Sequence, residues 1–104
     1  MQSFANRIRW TDVTPFEIVR RISDKTLVVR QMKSERAADW SPVIVLGGFV
    51  GHCLNQNEQR WTITTDESYD EVRIRLHKDG SWRSKDGARF KLSDEPKRFY
   101  DYNF

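Results

Sequence analysis

The chain holds one cysteine, Cys53, so it cannot close an internal disulfide, and packing alone must hold its fold. Long apolar runs are also missing. The longest, Val43 to Leu46 ahead of Gly47 and Gly48, is strand-sized and far short of the roughly 20 residues that cross a bilayer as a helix. Arg7 and Arg9 come early, but no apolar stretch of a leader peptide follows them, so the cytoplasm is the expected location and no membrane partner is expected. The motifs of familiar chemistry are absent as well. Gly47-Gly48-Phe49-Val50-Gly51 lacks the Lys-Ser/Thr ending of a phosphate-binding loop, and Cys53, His52 and His77 lack the paired spacings of a zinc site. His52 and Cys53 are neighbours that a strand points to opposite faces, and no carboxylate at triad spacing completes them. The reading is therefore a non-enzymatic protein with no cofactor and no metal.

What is present is 104 residues rich in aromatics, with four Trp and six Phe, enough for one core and one domain. Residues 1–14 show no clean period and read as a loosely held N-terminal arm with Trp10 near its end, ahead of a single β domain over 15–104. Phe16 to Ile22 and Leu27 to Met32 flank a polar turn and suggest a hairpin. Ser34 to Asp39 could form one helical turn but is too short to stand as a helix and reads as a connection, Val43 to Leu46 reads as a strand, and Phe49 to Arg60 as a long irregular loop. Trp61 to Thr65 and Val72 to His77 alternate with period two across an acidic segment, Asp66 to Glu71.

Two copies of Lys-Asp-Gly, at 78–80 and 85–87, sit where strands should reverse. A two-residue loop would set Leu76 against Arg83 and Ile74 against Lys85. A three-residue loop with a left-handed glycine sets Leu76 against Trp82 and Trp82 against Phe90, which gives a continuous inward row. Side-chain faces decide the register, so the three-residue loop is the expected one. It aligns Arg75, Arg83 and Arg89 on the opposite face, with Arg73 and Lys85 or Lys91 beside them. Several short strands with polar turns point to a mostly β fold, a small antiparallel sheet or a twisted SH3-like barrel with a C-terminal meander.

Charge follows the same division. The whole chain carries +3, but from Val72 to Lys91 seven basic residues face two acidic ones. Arg73, Arg75, Arg83 and Arg89 are thus candidates for binding anions or nucleic acid, since guanidinium groups pair bidentately with phosphate. Against that stands a solvated outer face screened by Asp66, Glu67, Asp70 and Glu71. His52, Asn55, Gln56, Gln59 and Arg60 are candidate loop contacts, whose amides can read bases or peptide groups. The aromatic ending Phe99 to Phe104 should dock as a closing strand or serve a partner.

Four stretches carry a resemblance: Gly47 to Cys53, Asn55-Gln56 with Gln59-Arg60-Trp61, Ile74-Arg75-Leu76 into Lys78-Asp79-Gly80, and the ending Arg98-Phe99-Tyr100-Asp101-Tyr102-Asn103-Phe104. From about Trp10 onward the chain resembles a group of small uncharacterised proteins encoded on bacterial phages and related mobile elements. The resemblance implies an accessory protein that binds nucleic acid or blocks a host protein, for example in host defence, and it carries no catalytic residues to transfer.

Overall fold

The computed structural model describes residues 2–47, 50–53 and 56–100. Its organising features are the two Lys-Asp-Gly reversals. At the first, the His77 amide donates to the Ser81 carbonyl (2.8 Å) and the Gly80 amide to the His77 carbonyl (3.0 Å); at the second, the Ser84 amide donates to Ala88 and the Gly87 amide to Ser84, each at 3.0 Å. Both loops therefore spend three residues, and Gly80 and Gly87 occupy the left-handed region at φ 85° and 89°, where a Cβ is strained. The turn aspartates lock the reversals: Asp79 accepts from the Ser81 amide (3.0 Å) and hydroxyl (2.6 Å), and Asp86 accepts from the Ser84 hydroxyl.

These turns set the register of β9 (Glu71–Leu76), β10 (Trp82–Ser84) and β11 (Arg89–Ser93). Leu76 faces Trp82 and Trp82 faces Phe90, while Arg75 faces Arg83 and Arg83 faces Arg89, as the three-residue loop predicts. The expected hairpin forms too, as β3 (Phe16–Ser23) and β4 (Thr26–Gln31), with bulges that sharpen the bend of β3. Strand β4 pairs with β9, joining hairpin to meander.

Closure comes from β1 (Phe4–Ile8), which pairs with β3 on one side and, from Phe4↔Ser93 to Ile8↔Arg89, with β11 on the other. The result is a closed six-stranded antiparallel barrel, β1-β3-β4-β9-β10-β11, with β2 (Val13–Thr14) added beside β1. The small antiparallel barrel with a C-terminal meander is therefore what forms, and closure removes the open sheet edges of its six members. Inside lie Ala5, Phe16, Leu27, Val29, Ile74, Trp82 and Phe90, with Phe16 and Phe90 edge to face at 5.0 Å.

Three local expectations are corrected. Where it is described, the expected arm over 1–14 is not loose, because β1 is a barrel stave and Ala5 is fully buried. Its period was hidden because Asn6, on the other face from Ala5, is also buried: its side-chain amide donates to the Glu95 carbonyl (3.1 Å) and its oxygen accepts from the Lys97 amide (2.9 Å). Trp10, near the end of that segment, is 96 % exposed. Ser34 to Asp39 is more than a connection: β5 (Lys33–Arg36) pairs there with β8 (Trp61–Thr64), since a partner strand satisfies the backbone that a one-turn helix would leave open. The expected loop from Phe49 to Arg60 contains β7 (Val50–Cys53), paired with β6 (Ile44–Gly47), and a 3-10 turn at Gln56–Glu58. Everything from β5 to β8 is thus an excursion between two neighbouring staves. Among the described residues no helix is long and apolar enough to cross a membrane.

Candidate nucleic-acid interface

Alternation along β9 buries Ile74 and sends Arg73 and Arg75 outward. With strands about 4.8 Å apart, the Arg75–Arg83–Arg89 row crosses three staves in about 10 Å. A concavity of about 500 Å³ lies at the Arg75 and Arg83 members of the row, lined by Arg73, Arg75, His77, Arg83, Ser84 and Lys85. Arg83 is held from below, its Nε donating to the Ser81 hydroxyl (2.9 Å) and its Nη2 to Asp79 (2.7 Å). Asp79 is itself depressed to about 2, first by the Ser81 hydroxyl and amide and then by the Arg83 charge, so its carboxylate is ionised throughout the neutral range. Arg73, Arg75 and Arg89 make no ion pair with a carboxylate among the described residues.

Two members of the acidic segment expected to screen this row, Glu71 and Asp66, have partners elsewhere. Glu71 accepts from Arg20 at 2.8 Å, and Arg30, between Glu17 and Glu71 in the register, donates to Glu17 at 2.6 Å. The second Glu17 oxygen takes the Thr65 hydroxyl (2.8 Å). The Glu17 hydrogen bond is the main cause that raises the Arg30 guanidinium above its ordinary value. Asp66 is lowered mainly by its hydrogen bonds to Ser68, with Lys33 and Arg30 adding to the effect.

Of the candidate loop residues, Gln56, Gln59 and Arg60 do not line the concavity, so these three are not joined to the arginines there. Gln59 is occupied internally: its amide donates to the carbonyls of Gln56 (2.8 Å) and Tyr100 (2.9 Å), and its oxygen accepts from the Trp61 indole (2.7 Å) and the Tyr100 amide (2.8 Å). Gln56 opens the 3-10 turn, and Arg60 pairs with Asp39 at 3.1 Å on an exposed edge. His52 contributes its backbone to β7, while its side chain and all of Asn55 lie outside the described residues. The aromatic ending docks as far as it is described: Phe99 and Val13 exchange two backbone hydrogen bonds, and 101–104 lie outside the described residues.

A second basic cluster escaped the sequence. Arg7, Arg9 and Arg98 converge beside Trp61 and Tyr69 at one mouth of the barrel. The one signal for it was Arg7 standing two residues from the buried Ala5, hence on the same face of the strand. Comparison with protein-family models, with curated proteins and with solved structures gives no match.

Proposed function

We propose that this protein is a non-enzymatic binding module that holds the phosphates of nucleic acid on the outer face of β9, β10 and β11. The observation that carries the proposal is the Arg75–Arg83–Arg89 row, in which like charges oppose one another across adjacent strands. Such pairing disfavours the sheet, and phosphates would relieve it. Its span suits a nucleic-acid backbone, where each strand of a duplex carries a charge about every 3.4 Å. The resemblance to phage and mobile-element proteins supports the same reading by setting, as an accessory protein in the cytoplasm.

The test is binding of a fluorescent oligonucleotide at several salt concentrations. Affinity should fall steeply with salt, and the double variant Arg75→Ala with Arg89→Ala should flatten the log–log slope by about 2. Arg20→Ala, which removes an arginine already paired with Glu71, should leave the slope alone. Binding that ignores salt, or that the double variant leaves unchanged, defeats the proposal. A competing reading, a protein-binding inhibitor of a host system, draws on the bare Trp10 ring. A stoichiometric partner that survives nuclease and is lost with Trp10→Ala would favour it.

A further inference from the structure

The mouth of the barrel bounded by Arg7 is a site of a different kind from the outer row. Arg7 pairs with Phe90 in the register, so the inward row Leu76–Trp82–Phe90 ends on a guanidinium instead of an apolar side chain. That guanidinium lies over the Phe16 ring at 5.3 Å, and its Nε–H is buried with no hydrogen-bond partner among the described residues. A buried N–H left unpaired costs free energy unless something accepts from it. Burial is the main cause that lowers the Arg7 guanidinium from its ordinary value, and the like charges of Arg9 and Arg98 lower it further, against an opposing pull from Asp86.

The rest of the mouth is already arranged. Arg98 donates through Nη1 to the Thr14 hydroxyl (3.3 Å), with its guanidinium 5.2 Å from the centre of Trp61 and 5.7 Å from that of Tyr100. Stacked in this way, the fork keeps its direction while Nε and Nη2 make no hydrogen bond among the described residues. The cavity holds about 340 Å³, within the range of small-molecule sites, and barrel mouths are a common place for them. Among the described residues, three guanidinium groups and one carboxylate, Asp12, line it.

We propose that this mouth binds a phosphate monoester carried on a molecule of about mononucleotide size. The lining leaves an excess of two positive charges, which a monoester at neutral pH matches with about −1.5 to −2. Its three acceptor oxygens can meet guanidinium groups of Arg7, Arg9 and Arg98, and Trp61 and Tyr69 add aromatic lining for a flat base. The shared chemistry has two sources, a free nucleotide or the terminal phosphate of a strand. Neither depends on the outer arginine row, because the two concavities share no lining residue.

The test follows the Trp61 indole and Arg7 Nε–H signals of the intact protein by nitrogen-15 NMR during titration with adenosine monophosphate, adenosine, and oligonucleotides with a 5′-phosphate or a 5′-hydroxyl. Saturable shifts are expected with the phosphorylated probes and not with adenosine or the 5′-hydroxyl strand. Arg9→Glu, at an exposed position that folding tolerates, should weaken binding at least tenfold. Arg7→Lys, which keeps the charge but loses the fork, should weaken it several-fold. Arg75→Ala with Arg89→Ala should leave these shifts intact even if it abolishes oligonucleotide binding elsewhere. Saturation by the free nucleotide identifies a nucleotide site, and saturation by the phosphorylated strand alone identifies a strand end; either supports the proposal. Shifts that adenosine reproduces, that Arg9→Glu does not weaken, or that no phosphorylated probe elicits overturn it.

Discussion

The outer surface of the barrel has two halves built on the same strands with opposite electrostatic outcomes. Over β3, β4 and the start of β9, acids and bases alternate across the register, Glu17 to Arg30 to Glu71, with Arg20 returning to Glu71. Over the end of β9, β10 and β11, the register sets arginine against arginine. One half resolves its charges within the fold; the other leaves Arg73, Arg75 and Arg89 without an ion pair among the described residues. Cross-strand pairs contribute about 0.2–1 kcal/mol each, so a surface arranged for stability alone would not oppose three arginines. On the proposed function, the half that opposes like charges is the one that meets phosphate.

The largest blow to the comparison comes from beneath it. Ile74 is fully buried and flanked by Arg73 and Arg75, and Ile74→Ala should cost about 2–5 kcal/mol in urea unfolding. Next come matched substitutions on the two halves. Glu17→Gln should lower the urea midpoint by weakening contacts to Arg30 and Thr65, with no loss of oligonucleotide affinity. Arg75→Glu should do the reverse, raising stability by roughly 0.5 kcal/mol through a carboxylate facing Arg83 while abolishing binding. If both variants lose stability and binding together, the halves are not functionally distinct.

The smallest effect is on acid stability. Asp79 falls from 3.8 to about 2 on folding, so its contribution is fully present above pH of about 4 and is lost as pH drops through 2. The melting-temperature gap between the native chain and Asp79→Asn should therefore close across that window. A gap independent of pH would show that the Asp79 charge does not help to hold the first reversal.

The meander was legible because its information is local: two glycines and the alternation around them fix which residues oppose one another. The arginine row followed at once from that register. The first stave was illegible because its neighbours invert the usual pattern, with Arg7 facing inward and Asn6 buried by a distant turn. Lys33–Arg36 is a strand of four polar residues, and β8 supplies through pairing what its own propensity does not. The Arg7–Arg9–Arg98 mouth draws on residues at both ends of the described chain and on Trp61 from the excursion, so only the closed barrel brings them together. Gln59 had the look of a free amide for the opposite reason, since its four partners include the backbone of Tyr100, 41 residues away.

The seam between β1 and β11 also has a consequence in time. Asn6 waits for a partner 89 residues downstream, and at ribosomal speeds of roughly 5–20 residues per second that delay is on the order of ten seconds. Throughout synthesis the nascent chain must carry an unsealed stave, and the ring can snap shut only after the last hairpin has left the exit tunnel.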